Sequence, residues 1–442
     1  MDFRALYLRC RYWLIDFLQG SPVRKPYNEI KFLSEHSLEE GKGLREKKLK
    51  DILFHASSNT VFYKGYSDDL RDYPVMNKSL YIKHYDEIKV ALENIPAQKG
   101  KVHIQTTSGS TGTPFAVPQD TNKRNRRVAE LKYFGKVVGF KTHEKLIHLR
   151  TWNRWQSKTS RQIQLENIIP FDISEMGNLK MAQLCKTIHD ENAICLRGYA
   201  SSFDLLANYV QFHPQDFPSL KVIIAGSEAL HEDTRAKVKK NLKCEIISQY
   251  ANEECGILAQ ERVPTTENDN PMYLNHSSYF FEVLKMDSDA PAEYGELGRI
   301  VVTDLHNYAF PIIRYDSGDV GILLPADKYS NGYPVLGKIY GRRFDVCYTT
   351  NNQPFTPMTI GRILKHFDCI LQWQFIQKDA KLYLLKLILK SSINNTDEYI
   401  SSIVVLLKDA LGDDAEIQIE LVDGIPVLSS GKRKPVINEW KK

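Results

Sequence analysis

The sequence predicts an α/β fold: a large multi-sheet αβ N-terminal domain with a small β-rich subdomain, and then a small α+β C-terminal domain. Three observations carry this expectation. From about residue 100, short β-like runs (KVHIQTTS, EKLIHL, AICLRGY, LKVIIAG, CEIISQY) alternate with helical patterns such as DLLANYVQF and HEDTRAKVKKNL, as crossovers in a largely parallel sheet require. From about 270 to 335 the strands YFFEVL, GRIVVTD and VGILL follow one another without helices. Near residue 341 the pattern restarts with ILQWQFIQ, the turn KDAK, LYLLKLILK, a helical TDEYISSIVVLLKDALG and AEIQIELV, roughly a hundred residues, which is domain-sized. The expected domains are therefore 1–340, with a helical N-terminal region over 1–100 and the β-rich subdomain over 270–335, and 341–442.

The helical N-terminal region rests on apolar positions three and four apart in DFRALYLRCRYWLIDFL and in LEEGKGLREKKLKDILFHAS, with Ser37 as the cap of the second. Tyr7, Trp13, Leu14 and Phe17 beside Arg4, Arg9 and Arg11 would also suit a helix lying on a membrane surface. Docking of this helix onto its own domain is the expected use.

Composition sets the outer limits. The 442 residues, 42% apolar and 26% charged, can bury a large core. No apolar run reaches the roughly 18 residues of a membrane span, and the N-terminal stretch lacks a small-residue cleavage site. Seven cysteines (Cys10, Cys185, Cys195, Cys244, Cys255, Cys347, Cys369) without a C-x-x-C pair suggest neither a disulfide framework nor a zinc knuckle, and point to a reducing cytoplasm. The net charge is +5, yet residues 121–165 carry twelve Lys/Arg against two Glu. That segment is expected to meet something anionic, or to be a solvated helix face. No nucleic-acid-binding signature accompanies it, so no nucleic acid partner is expected.

The strongest local signal is TTSGSTGTPFAV, residues 106–117, placed after the strand VHIQ and before the helical pattern starting near Thr121. Gly109 and Gly112 let the backbone turn its N–H groups toward an anion, and Thr106, Thr107, Ser108, Ser110 and Thr111 add hydroxyl donors. Only two residues separate the glycines, so this is not a Walker loop. AGSEAL (225–230) follows the strand LKVII, and SQYANEE (248–254) follows CEII. Ligands of open α/β sheets bind at strand C-terminal ends, so Gly226, Ser227, Glu228, Tyr250 and Glu254 could share one site. FPIIRYDSGDVGIL brings Gly318 between two carboxylates, Asp316 and Asp319, that could take ribose hydroxyls; YGRRFD (340–345) and the tail LSSGKRK complete the set.

In order and spacing these six segments, across residues 106–434, resemble the adenylate-forming ligase superfamily, in its phenylacetate-coenzyme A ligase-like and capsule-biosynthesis branch. The resemblance implies a mobile C-terminal domain. It makes TTSGSTGTP the phosphate-binding loop, with Thr107 as a loop hydroxyl near the metal, and AGSEAL the adenine-side segment. YANEE becomes the aromatic segment, with Ala251 in a glycine's place and Glu254 in the magnesium position. It puts Asp319 on the ribose hydroxyls, Arg342 near the ribose, Asp345 at the hinge, and gives Lys432 the bridge between substrate carboxylate and α-phosphate. Phe115 stands where many relatives carry a lysine, and Arg262 where some place a zinc-binding cysteine, so no metal is expected at Cys255 or His276. The implied cofactors are ATP and Mg²⁺, with coenzyme A as co-substrate, its phosphates a match for the basic stretch.

The implied activity is activation of a small-molecule carboxylate as an acyl-adenylate, with release of pyrophosphate, followed by acyl transfer to coenzyme A. Alternatives are acyl or aminoacyl transfer to an amine or sugar in surface-polysaccharide synthesis, adenylyl transfer that leaves AMP on the product, and a non-catalytic nucleotide-binding scaffold. A homodimer is a further partner kept open. Trp152 and Trp155 with Arg150 and Arg154 suit a polar or sugar-bearing substrate, or a core flanked by surface arginines.

Overall fold

The computed structural model describes residues 2–106, 115–150, 159–173, 177–263, 270–342, 346–355, 357–364, 366–367, 369–389, 396–425 and 436–440. Three helices come first, α1 (Phe3–Leu18), α2 (Arg24–Glu35) and α3 (Leu38–Asn59). Ser37 caps α3 as expected: its hydroxyl accepts from the Glu40 N–H, and the Glu40 carboxylate accepts from the Ser37 N–H at 2.8 Å, a reciprocal capping box.

Helix α1 departs from expectation. Trp13 does dock, against Tyr27 of α2, but Tyr7, Leu14 and Phe17 point to solvent. Only Ala5 and Asp16 of the helix are buried. The apolar face and the docking face are different faces, which spacing alone does not reveal because the neighbouring elements select the side that is covered.

The hairpin β1 (His103–Thr106) and β2 (Ala116–Gln119) pairs Thr106 with Ala116. Helix α4 (Thr121–Val137) starts straight after it, capped by the Asp120 side chain at the Lys123 N–H, 2.7 Å. The strand before the Ser/Thr/Gly segment and the helix near Thr121 are as expected, and the strand β2 between them is an addition.

Then comes the parallel half: β3 (Leu146–Arg150), β4 (Ile168–Asp172), helix α5 (Asn178–Asp190), β5 (Cys195–Tyr199), α6 (Ala200–Phe212), β6 (Val222–Gly226), α7 (Glu232–Leu242) and β7 (Glu245–Asn252). Strand pairs β4–β3, β3–β5, β5–β6 and β6–β7 are all parallel. Buried on both faces, β6 reads as the unbroken apolar run Val222-Ile223-Ile224-Ala225. The crossover α6 buries Phe203, Leu206, Ala207 and Val210, spaced i, i+3, i+4 and i+7, onto that sheet. Each large member contributes about 1.5–3 kcal/mol.

Antiparallel strands complete the sheet: β8 (Gly256–Gln260), β9 (Met272–Leu274), β10 (Tyr279–Leu284), β11 (Leu297–Asp304), β12 (Tyr315–Leu324) and β13 (Val335–Arg342). The hydrogen-bonded order is β10-β11-β12-β13-β9-β8-β7-β6-β5-β3-β4. The helix-free stretch is as expected, and its strands continue the large sheet through β8 and β9. The N-terminal region is built onto this half: Arg314, whose backbone holds φ +46, donates from its guanidinium to both oxygens of Glu282 and to the Tyr73 carbonyl, the last at 2.9 Å.

The last unit has the four-stranded order β16-β15-β14-β17, from β14 (Ile370–Gln377), β15 (Leu382–Leu389), β16 (Glu416–Leu421) and β17 (Val436–Asn438). Helix α8 (Thr396–Leu411) covers it through Ile403, Leu407 and Leu411, against Phe375, Tyr383 and Leu385. The strand, turn and helix sequence is the one its periodicity predicts. Val346 and Tyr348 pack with Val320 of β12.

Candidate active site

The C-terminal ends of β5, β6 and β7 lie side by side, with Tyr199 opposite Gly226 and Gly226 opposite Gln249. Close approach fixes residue choice here. A Cβ at Gly198 would come within 2.8 Å of the Leu149 Cβ and carbonyl oxygen. Ser227, next after Gly226, holds φ +64, a left-handed conformation that a non-glycine residue adopts at some cost. Glu228 stays at these strand ends: its Oε2 accepts the Ser201 N–H at 3.0 Å, in the first turn of α6, which begins directly after Tyr199 of β5. It acts as an anionic helix-terminus partner.

Tyr250, on β7, reaches across to β12. Its phenol donates to Asp319 Oδ2 at 2.7 Å and stands 3.3 Å from Ser317 Oγ, which itself donates to the Ile300 carbonyl. Asp319 is half-buried, and its backbone pairs with Arg342 at the end of β13. Asp316 is occupied elsewhere, paired with the buried Arg299 guanidinium at 3.0 Å. Of the two carboxylates in RYDSGD, Asp319 therefore faces the site and Asp316 holds the strands. Ala251 sits at a register shift between β7 and β8 and is exposed.

Glu254 lies in the turn between β7 and β8, and is buried. The Tyr315 phenol donates to its Oε1 at 3.1 Å. Three side chains grip three successive carbonyls of this turn. Arg127 of α4 donates to the Glu253 carbonyl at 2.9 Å, Gln119 of β2 to that of Glu254 at 3.2 Å, and Tyr279 of β10 to that of Cys255 at 2.8 Å. Asn252 Oδ1 accepts the Cys255 N–H at 2.8 Å. The Glu253 carboxylate accepts from Gln105 of β1 at 2.8 Å. The hairpin that carries the Ser/Thr/Gly loop is thus tied directly to the Glu254 turn.

Behind Tyr279 lies a closed polar layer. Lys123 donates to the Tyr279 phenol at 3.0 Å and meets Asp304 Oδ2 at 2.6 Å, both charges fully enclosed. Burial pushes the Tyr279 phenol and the Cys255 thiol well above their usual range. Glu130, also enclosed, has its carboxyl raised by burial, with Lys123 and Arg126 opposing. Arg126 pairs with Glu29 of α2 at 2.7 Å. The basic stretch meets anionic groups after all, but through Lys123 and Arg126 they are carboxylates of its own chain, and these two cations are not available to a coenzyme's phosphates. Lys132 lies 3.8 Å over the Tyr12 ring, and burial lowers its ammonium to about 8.

Phe115, in the place of a lysine, is a core residue packed against Tyr81 and Phe310. Thr106 ends β1 and is exposed. Thr107, Ser108, Gly109, Ser110, Thr111, Gly112, Trp152, Arg154, Trp155, Asp345 and Lys432 lie outside the described residues. Sequence reasoning missed Tyr315, Gln119, Arg127 and Tyr279. Tyr315 sits inside RYDSGD and could have been found there; the other three carry no local signal.

A divalent cation suits Glu254. A hard Mg²⁺ that arrives with phosphates needs one or two protein carboxylates, and Glu254 Oε2 accepts no hydrogen bond among the described residues. Among those residues no group of three or more His, Cys, Asp or Glu gathers as a cage, at Cys255, His276 or elsewhere. All seven cysteines are free thiols. No helix of the described residues is long and apolar enough to cross a membrane.

Residues 347–439 match the CapK C-terminal domain. The phenylacetate-coenzyme A ligase of Escherichia coli K12 is 23% identical over 311 residues, 65% of this chain and 68% of that one. The phenylacetate-coenzyme A ligase of Thermus thermophilus is 21% identical over 380 residues, 77% of this chain and 80% of that one. Among solved structures, a 2-hydroxyisobutyryl-CoA ligase in its postadenylation state with R3-HIB-AMP superposes with a TM-score of 0.69 at 15% identity, covering 92% of this chain and 91% of that one.

Proposed function

Because the chain belongs to the adenylate-forming ligases, in their phenylacetate-coenzyme A ligase-like and CapK branch, and is an AMP-forming ligase, we propose that it converts a carboxylic acid to an acyl-adenylate with ATP and hands the acyl group to coenzyme A. The observation that carries this reading is convergence at one end of the sheet: Gly226 and Ser227, the Tyr250–Asp319 pair, and the Glu254 turn tied to the hairpin.

A carboxylate is a poor acyl donor because its leaving group would be oxide. Attack on the ATP α-phosphate exchanges that oxygen for AMP and releases pyrophosphate. Two anions must meet, so the site has to neutralise their repulsion. In this reading Asp319 accepts from ribose hydroxyls, and the ring of Tyr250 lies against the adenine beside Gly226 and Ser227. The backbone and hydroxyls of 106–112 wrap the phosphates, while Glu254, with Thr107, holds Mg²⁺. Bound there, the cation supplies charge neutralisation on the phosphates. Lys432 bridges carboxylate and α-phosphate when the C-terminal unit swings about Asp345. Alignment of the two reactants can remove roughly 7–11 kcal/mol from the barrier at most.

A second reading, transfer to a sugar or amine in surface-polysaccharide synthesis, is favoured by the match of residues 347–439 to the CapK C-terminal domain. One experiment tests both: ATP–pyrophosphate exchange against a panel of carboxylic acids that includes phenylacetate, followed by mass spectrometry of products formed with coenzyme A, amines and sugars. Exchange with at least one acid is expected, and the product identifies the acceptor. No exchange with any acid, alongside measurable ATP binding, overturns the activation step and leaves a nucleotide-binding scaffold.

A further inference from the structure

Helix α1 turns an apolar stripe to solvent. Phe3 is 77% exposed, Tyr7 65%, Leu14 59%, Phe17 66% and Leu18 73%. At 100° per residue these five fall on one side of the helix, opposite the buried Ala5 and Asp16. The inward side is fully engaged: Arg9 donates to the Thr142 carbonyl at 3.0 Å, and Trp13 rests edge-on to Tyr27. A contiguous stripe of this kind on one element differs from apolar residues exposed singly, and marks an interaction surface.

Charge on this helix is one-sided. Both of its carboxylates are engaged as caps: Asp2, exposed at the N-terminal end, accepts the Ala5 N–H at 3.0 Å, and the buried Asp16 accepts the Val23 and Arg24 N–H groups at 2.8 and 3.1 Å. Arg4 and Arg11 border the stripe along one edge. Arg24 stands at the other edge, its guanidinium 4.9 Å over the Trp13 ring. Sixteen residues give a helix of about 24 Å, short of the roughly 30 Å hydrocarbon core, so the helix cannot span a bilayer.

We propose that α1 seats this protein on an anionic lipid surface, its apolar stripe in the acyl boundary and its arginines at lipid phosphates. A second copy is the poorer occupant. In either orientation of a self-paired helix, cationic edges face cationic edges with no carboxylate between them.

The test uses the full chain and extruded vesicles, one set of phosphatidylcholine alone and one with added phosphatidylglycerol. The chain is expected to sediment with the phosphatidylglycerol vesicles and to stay in the supernatant with phosphatidylcholine alone. The double variant Leu14→Glu/Phe17→Glu should lower partitioning at least tenfold, and Arg4→Gln/Arg11→Gln should lower it roughly tenfold. All four side chains are outside the core, so thermal melts followed by circular dichroism should stay unchanged. Absence of sedimentation with phosphatidylglycerol vesicles overturns the proposal, as does equal partitioning of the Leu14→Glu/Phe17→Glu variant. A wild-type dimer in light scattering that this variant splits would show that a second copy covers the stripe, and would also overturn it.

Discussion

The phenol of Tyr250 donates a 2.7 Å hydrogen bond to Asp319 and so joins the last parallel strand to the antiparallel half of the same sheet. The carboxylate is oriented by this donor while remaining half-buried, an arrangement suited to accepting ligand hydroxyls. Asp319→Asn should therefore lower ATP–pyrophosphate exchange by about 100-fold, the equivalent of two charged hydrogen bonds weakened. Tyr250→Phe keeps the ring and removes only the donor, and should cost no more than about tenfold. Equal losses in the two variants would contradict the assignment of the carboxylate to the ligand.

The Glu254 turn gives a second separation. Glu254→Gln removes the charge and should shift the Mg²⁺ titration of exchange to higher concentration at unchanged melting temperature. Tyr279→Phe frees the Cys255 carbonyl and one Lys123 proton in a buried layer, and should cost about 1–3 kcal/mol of stability. It should also raise the Mg²⁺ requirement, since Glu254 follows its turn. A Tyr279→Phe protein that is less stable yet titrates with Mg²⁺ like the wild type would show that this clamp does not position Glu254.

Much of this architecture is legible in the amino-acid sequence. Strands buried on both faces announce themselves as runs such as VIIA, the C-terminal unit follows its periodicities almost element for element, and Glu254, Tyr250 and Asp319 are all marked by motifs. Three features are not legible, each because it depends on distant chain. The side of α1 that docks is chosen by Tyr27 and Thr142. The positive charge of 121–165 is met in part by Glu29 and Asp304, far away in sequence. The grip of Arg127, Gln119 and Tyr279 on successive carbonyls uses three elements at once, and no local pattern encodes a backbone acceptor.

The enclosed pair of Lys123 and Asp304 predicts a non-additive mutant cycle. Lys123→Met leaves a buried carboxylate uncompensated and should cost about 3–5 kcal/mol in urea unfolding. Adding Asp304→Asn removes that charge and should restore a large part of the loss. Additive losses would mean that the two groups are stabilised by other neighbours.

Lys432 separates the two half-reactions in the proposed mechanism. Lys432→Ala should suppress carboxylate-dependent ATP–pyrophosphate exchange by at least 100-fold, on the order expected when a group acting only in the transition state is removed. Transfer from a supplied acyl-adenylate to the acceptor should stay near wild type. Comparable loss in both assays would remove Lys432 from the adenylation role.

Glu130 makes the chain's stability depend on pH in a direction that can be worked out. Burial raises its carboxyl above the ordinary 4.5, with Asp304 adding to the rise while Lys123 and Arg126 oppose it. Once the pH passes 4.5 the unfolded chain releases this proton while the folded chain still holds it. The group's contribution to folding is therefore fully present below that pH, and is lost as the pH climbs through the folded value. Glu130→Gln keeps the shape and never ionises. Its melting temperature should exceed that of the wild type by an amount that grows upward from pH 4.5 and levels off once the folded carboxyl has ionised. A difference that stays constant from pH 4.5 to about 7.5 would mean that Glu130 is already ionised in the folded chain, held by Lys123 and Arg126 against the cost of its burial.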